Sequence, residues 1–243
     1  MLPRANPKRN DWSKGPAMMT PEEIVFLFDV DNTLLDNDRV TADLKKHLAR
    51  EFGAEDASRY WHIFETLRAE LGYADYLGAL QRYRMSDMGD PGMLMMSSFL
   101  LEYPFANRLY PQSLDVLDYV QQWGNAVILT DGDVVFQPRK VQRSGLWEAV
   151  DGRVLIFVHK EDMLDAVMER YPARHYVMVD DKLRILAAMK ARMGAMLTTV
   201  FPRQGHYAHD PKNREMYPPA DITLERIGDL LELGLDAFLP AGQ

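Results

Sequence analysis

The sequence contains no cysteine. That excludes a disulfide framework, a thiolate zinc site and a cysteine nucleophile. It fits a reducing compartment, so a cytoplasmic location is the expectation. No run approaches the roughly 18 apolar residues of a membrane-spanning helix, so no membrane partner is expected. A basic surplus is also missing, since 28 Lys and Arg against 36 Asp and Glu give a formal charge of −8. Duplex binding needs a basic face, so nucleic acid is not an expected partner either. Internal repeats and low-complexity tracts are absent from the sequence. What is there is ordinary for a globular chain: 243 residues, 47% apolar and 26% charged, enough for a sizeable core in one or two domains.

Residues 1–20 stand apart. Arg4, Lys8, Arg9 and Lys14 face only Asp11, a net +3 that leaves −11 for the rest, and three prolines interrupt the segment. With no apolar core it is not a secretory signal, and a flexible leader is the expectation. A basic arm that touches a partner is the competing reading.

Ile24-Val25-Phe26-Leu27-Phe28 is a continuous apolar run, β-branched and aromatic. It predicts a strand buried on both faces, the parallel-sheet type. Three similar runs follow at 126–129, 154–158 and 176–179, and a fifth candidate covers 195–200. Between them the pattern predicts helices over 111–123, 134–144, 161–170 and 183–193, with Gly145 and Gly194 as C-terminal stops. Strands alternating with helices predict a doubly wound, Rossmann-like α/β sheet. From 38 to 107 the alternation fails, and helices are expected over 40–52, 57–71 and 73–83. Such a stretch far exceeds a βα loop of about 2–6 residues. The predicted organisation is therefore a leader over 1–20, an α/β core over 21–37 and 108–243, and an inserted all-helical subdomain over 38–107.

Ligands of a doubly wound sheet sit beyond the carboxyl ends of its strands, so the residues after each apolar run matter most. These are Asp29-Val30-Asp31-Asn32-Thr33, then Thr130-Asp131-Gly132-Asp133, then His159-Lys160, then Asp180-Asp181. Four strand ends thus deliver carboxylates, a hydroxyl and an ammonium to one rim. Taken singly, each has a plainer reading. Asp29 and Asp31 can cap a turn, Asp131 and Gly132 suit a turn, and Asp180-Asp181 suits the first turn of a helix. An EF-hand loop is excluded, because Leu34 and Val40 stand where that loop needs Gly and Glu. The ordered combination favours a site.

This combination resembles the haloacid dehalogenase-like superfamily of phosphohydrolases, from Ile24 to about Val200. Phe28-Asp29-Val30-Asp31-Asn32-Thr33-Leu34-Leu35 is similar to its first motif, Ile128-Leu129-Thr130-Asp131-Gly132 to its second, Lys160 to its third, and Val179-Asp180-Asp181 to its fourth. The resemblance implies Asp29 as nucleophile and Asp31 as general acid and base. It implies that Thr130, Asp131, Gly132 and Lys160 hold the phosphoryl group. It also implies Mg²⁺ on Asp29, the Asp31 backbone carbonyl and Asp180, with Asp181 as second-shell or alternate ligand. Electrostatics supports a cation independently. Two carboxylates at about 4 Å repel by roughly 4 kcal/mol at an effective dielectric near 20, and one lysine does not offset four of them. A hard divalent ion with oxygen ligands does.

The expected activity is Mg²⁺-dependent hydrolysis of a small phosphorylated metabolite through an aspartyl-phosphate, by a monomer or homodimer. The alternatives are a sugar phosphomutase, a haloacid dehalogenase and a non-catalytic binding protein. Dehalogenation ranks lower because Asp31 serves a leaving alkoxide. Three departures from the family pattern stand out: Glu161 follows Lys160 in place of the usual proline, Lys140 rivals Lys160, and Arg184 stands where many relatives carry an acid. Lys140 is expected in the helix after Thr130, so Lys160 is preferred. His206 and His209 have metal-ligand spacing but no third ligand. His159 is a core or surface residue on this reading. The insertion offers Arg68, Tyr73, Arg82, Tyr83 and Arg84 as polar candidates for substrate choice, and a methionine-rich part as an adaptable lining or soft core.

Overall fold

The structure, a computed structural model, describes residues 22–85 and 92–239. The expected leader lies outside the described residues, as do Met88 and the Gly89-Asp90-Pro91 breaker.

The chain begins with β1 (Glu22–Phe28) and continues into α1 (Asn37–Phe52), α2 (Ala54–Leu71), α3 (Tyr76–Arg84) and α4 (Gly92–Glu102). It then alternates: α5 (Ser113–Val120), β2 (Asn125–Asp131), α6 (Phe136–Arg143), α7 (Leu146–Ala149), β3 (Val154–Phe157), α8 (Leu164–Arg170), β4 (Ala173–Val179), α9 (Leu183–Met193) and β5 (Leu197–Pro202). Short helices α10 (Gly205–His209) and α11 (Pro211–Met216) precede β6 (Ile222–Leu224). The six strands form one sheet, parallel throughout, in the order β3-β2-β1-β4-β5-β6. This is the doubly wound, Rossmann-like architecture that the alternation predicts.

The apolar runs explain the layers. Successive side chains of a strand point to opposite faces. Phe26 and Phe28 of β1 join Leu117 and Val120 of α5 in one core cluster. Val25 and Leu27 join Leu164 of α8 and Ile185 of α9 in the other. Both faces are covered, which is why the run needs no polar alternation. The register then sets the rim. Phe28 pairs with Ile128 and with Val179, so β1 and β4 end level while β2 runs three residues further, to Asp131. The Asp29 amide donates to the Val179 carbonyl at 3.0 Å, carrying β1 one step beyond its last strand residue.

The expected elements are present, short helices α7, α10 and α11 form where none is predicted, and four further differences stand out. Helix α4 occupies the methionine-rich part of the insertion, where no helix is predicted. Residues 194–196 form a 3-10 turn, so β5 starts at Leu197. The helix predicted over 161–170 is a 3-10 turn at Lys160–Asp162 followed by α8. Strand β6 has only three residues and no apolar run to announce it. Helices α1 to α3 bury Leu44, Tyr60, Phe64, Tyr76 and Leu80 in the same cluster as Phe28. Phe136 of α6 joins them through a ring contact with Tyr76 at 5.0 Å between centroids.

Candidate active site

The loop after β1 positions two of the acids. The Thr33, Leu34 and Leu35 amides all converge on the Val30 carbonyl, which curls the chain tightly. Asn32 takes φ 63 and exchanges hydrogen bonds with Asp38, its amide donating at 3.1 Å and its carbonyl accepting from the Asp38 N–H at 3.2 Å. Asn tolerates this left-handed backbone better than most residues. The curl sends Asp29 and Asp31 to different partners, contrary to the simple alternation of an extended chain.

Asp29 is 2% exposed. Its Oδ1 accepts from Lys160 Nζ at 2.5 Å, and its Oδ2 accepts from the Thr33 hydroxyl at 3.2 Å. The same hydroxyl accepts from the Asp181 N–H at 3.0 Å, tying the tips of β1 and β4. Lys160 Nζ also lies 2.7 Å from Asp180 Oδ2 and 3.2 Å from the Leu129 carbonyl. Burial opposes the lysine's charge, but Asp180, Asp29 and Asp131 outweigh it and hold its pKa above the ordinary value. The Lys160 N–H donates to Asp131 Oδ1 at 2.8 Å. Burial pushes the Asp131 carboxyl up to about 6 against the pull of Lys160.

Asp29, Asp180 and Asp181 each offer an oxygen within 4.8 Å of the others, and all three are buried. Both Asp181 oxygens are buried without a hydrogen-bond partner. Burial raises the pKa of Asp180 and, more strongly, that of Asp181. Buried carboxylate oxygens without donors are costly unless a cation meets them. The donor set is hard and all-oxygen, so it fits a divalent ion such as Mg²⁺. Lys182, next along, also faces this charge. Burial lowers its pKa, and Asp181, Asp29 and Asp180 raise it further to a net increase.

The Asp31 side chain is not one of the three clustered carboxylates. Its Oδ1 accepts from Lys140 Nζ at 2.6 Å and its Oδ2 from Gln137 Nε2 at 3.4 Å. Gln137 also donates to Thr130 Oγ1 at 3.0 Å. Lys140 and Gln137 are 1% and 3% exposed. Both stand on α6, three residues apart and thus on one helix face. Lys140 lies in that helix as expected, yet its ammonium reaches the rim at Asp31. Neither Gln137 nor Lys182 is singled out in the sequence.

A cavity of about 590 Å³ opens between the insertion and the rim. Asp31, Asp131, Gly132, Lys140 and Lys182 line its core side, and Lys45, Arg68 and Tyr73 its other side. Of the candidates on the insertion, Arg68 and Tyr73 reach this cavity, while Arg82 pairs with Glu70 at 2.6 Å and Tyr83 accepts from Arg59. Arg68 donates to the Tyr207 hydroxyl of α10. His206 does not join His209 in a metal cluster. Its ring lies 2.6 Å from Asp38 and its N–H donates to the same carboxylate at 2.9 Å. Arg184, in place of the expected acid, pairs with Glu161 at 2.5 Å. His159 is exposed and lines the cavity, so it is a rim residue, not core.

At the strand tips of this Rossmann-like sheet, Asp29, Asp180 and Asp181 cluster with the buried Lys160, beside a cavity lined by Asp31, Asp131, Lys140 and Lys182. The family model for haloacid dehalogenase-like hydrolases matches residues 25–191. The chain belongs to the haloacid dehalogenase-like hydrolases. A haloacid dehalogenase-like hydrolase from Burkholderia xenovorans LB400 is 69% identical, with a TM-score of 0.85 over 88% of this chain and 100% of that one. The magnesium-bound HAD-hydrolase YfnB from Bacillus subtilis is 17% identical, with a TM-score of 0.58 over 87% of this chain and 98% of its own. L-2-haloacid dehalogenase from Xanthobacter autotrophicus is 19% identical, with a TM-score of 0.57 over 86% and 97%. The last two likenesses concern the fold alone. No curated protein matches the chain. Among the described residues no helix is long and apolar enough to cross a membrane.

Proposed function

We propose that this hydrolase is a Mg²⁺-dependent phosphatase of a small phosphorylated metabolite. The single observation that carries the reading is the Asp31 carboxylate, held at the cavity by Lys140 and apart from the cluster around Asp29. A leaving alkoxide needs a proton and a leaving halide does not, so a second carboxylate at the cavity wall, two residues from the nucleophile, serves phosphate esters.

In the first step an Asp29 oxygen bonds to phosphorus and the ester P–O bond breaks. Asp31, in its acid form, gives its proton to the departing oxygen, and the alcohol leaves. In the second step Asp31 takes a proton from water, whose oxygen bonds to phosphorus. The bond from phosphorus to Asp29 breaks, returning the carboxylate and inorganic phosphate. Thr130, Asp131 and Gly132 border the phosphoryl position, and Lys160 neutralises charge there. Asp29, Asp180 and Asp181, with the Asp31 backbone carbonyl, would hold the cation. When bound, it would supply electrostatic stabilisation of the phosphoryl oxygens. Charge balance supports this. With all five acids ionised, Asp29, Asp31, Asp131, Asp180 and Asp181 outnumber the ammonium groups of Lys140, Lys160 and Lys182 by two charges, which one divalent ion matches. Residues 38–107 act as a cap over the cavity of a core built from 21–37 and 108–243, and Arg68 and Tyr73 contribute to substrate choice.

A second reading, hydrolytic dehalogenation of a 2-haloacid, is favoured by one feature. Lys160 sits between Asp29 and Asp180, so one ammonium bridges two of the three clustered acids without a metal. A panel of phosphomonoesters and 2-haloacids, with and without Mg²⁺, separates the two. Release of inorganic phosphate that requires Mg²⁺ and is lost in Asp29→Asn is the expected result. Halide release without metal overturns it, and phosphate retained on an isomerised product indicates a mutase.

A further inference from the structure

Resting on that reading, we propose that Lys140 is a positioning residue that fixes the Asp31 carboxylate for the water-activating half of the reaction. The Lys140 side chain is 1% exposed, and that of Asp31 is 25% exposed at the cavity wall. An ammonium this buried is strongly disfavoured unless its donors are met. Its contacts are Asp31 Oδ1 at 2.6 Å, Asn37 Oδ1 at 3.2 Å and the face of Phe136 at 5.1 Å from the ring centroid. Asn37 opens α1 and Phe136 opens α6. Besides Asp31, the lysine is therefore held at two points, Asn37 and Phe136, and gives one donor to Asp31.

Two features show why Asp31 needs such a hold. Its neighbour Asn32 sits in a left-handed turn, so the loop alone does not aim the side chain. Three buried acids cluster close by, and a cation held there would attract an unrestrained Asp31 carboxylate. Lys140 holds one oxygen on the α6 side, and Gln137 holds the other loosely at 3.4 Å while bonding Thr130 at 3.0 Å. One helix face thereby sets the base and the phosphoryl-binding hydroxyl in a fixed relation. The two halves of the reaction depend on this differently. With p-nitrophenyl phosphate the leaving group departs without a proton, so the first half does not use Asp31. The second half must deprotonate water, and a misaligned base loses much of the roughly 10²–10⁴-fold that such catalysis supplies.

The test uses the full chain with Mg²⁺ and p-nitrophenyl phosphate, comparing the unaltered protein with Lys140→Met and Lys140→Arg. In Lys140→Met, kcat and KM are expected to fall together by about 10- to 100-fold, with kcat/KM within about threefold. Stopped flow should show a burst of one p-nitrophenolate per enzyme as the aspartyl-phosphate accumulates. Lys140→Arg, which restores the charge and donors, should lose the burst and regain most of kcat. If kcat/KM falls as far as kcat with KM unchanged, or no burst forms, or Arg fails to rescue, the residue merely supports the fold and the inference fails. A Lys140→Met protein that does not fold leaves the decision to Lys140→Arg against Lys140→Gln. If the unaltered protein releases phosphate from no phosphomonoester, the phosphatase reading itself falls and takes this inference with it.

Discussion

Lys160 Nζ lies 2.5 Å from Asp29 Oδ1, joining the tip of β1 to the turn that follows β3 across 131 positions of sequence. The ammonium is fully buried and also meets Asp180 at 2.7 Å. A lysine so placed has two effects of opposite sign. It compensates two buried acids, and it occupies part of the charge that a cation would otherwise balance. Removing one partner of a buried ion pair costs about 3–5 kcal/mol, because the other charge is left bare. Lys160→Met is therefore expected to melt well below the unaltered protein in the absence of metal. Mg²⁺ should restore more of that loss than it adds to the unaltered protein. Calorimetric melts at several Mg²⁺ concentrations check this, and equal Mg²⁺ shifts in the two proteins would contradict it.

Asp181 gives a prediction with the opposite sign for the metal-free fold. Its two carboxylate oxygens are buried and unpartnered. Asp181→Asn removes a charge that nothing among the described residues hydrogen-bonds. Without metal the variant is expected to melt at or above the temperature of the unaltered protein. With metal it should lose most of the Mg²⁺-induced rise, which for a site held at 100 times its dissociation constant is about 2.7 kcal/mol. Titration calorimetry of Mg²⁺ into both proteins is the direct measurement. A variant that binds Mg²⁺ as tightly as the parent would remove Asp181 from the metal site.

Thr33 is the keystone of the acidic rim. Its hydroxyl donates to Asp29 and accepts from the Asp181 N–H, and the residue is fully buried. Its own carbonyl accepts from Gln204 Nε2 at 3.0 Å, tying in the segment after β5. Thr33→Val preserves shape and deletes the hydroxyl, leaving a buried N–H and one carboxylate oxygen short of a partner. The expected loss is about 1–3 kcal/mol in denaturant unfolding. Turnover should fall with it, because the nucleophile loses its orienting bond. Thr33→Ser should keep most of both.

The sheet and the acids were legible because they obey local rules. A strand buried on both faces shows itself as an unbroken apolar run, and functional groups of such a sheet follow those runs directly. Lys140 and Gln137 were harder. Their positions on α6 say only that they share a face, and whether that face meets the rim depends on how the helix packs. Lys182 was hidden by its neighbours, since Asp180-Asp181 at a helix start reads as capping whatever follows. Strand β6 pairs through Ile222 to Leu224 and has too few residues for a pattern. Helix α4 lies in a stretch flanked by glycine and proline, where breakers outweigh the apolar spacing.

The last prediction lies far from the rim and tests the fold alone. His175 on β4 is 5% exposed, and its Nε2 lies 2.9 Å from the Thr198 hydroxyl. Thr198 in turn donates to the Phe238 carbonyl at 2.8 Å, so the histidine belongs to a buried polar chain that pins the C-terminal segment to β5. Burial pushes its pKa below the ordinary value, and Lys190 adds to that. The Phe238 backbone and Asp221 oppose it without reversing the shift. The folded protein therefore holds this group neutral while the unfolded chain protonates near pH 6.5. Below that pH the unfolded state binds more protons, so stability falls as pH drops toward the folded pKa and is fully present above 6.5. His175→Gln keeps a polar side chain and cannot titrate. The difference in urea midpoint between pH 7.5 and pH 5 should be smaller in His175→Gln than in the unaltered protein. Identical pH dependence in the two would mean that His175 is not held neutral by the fold.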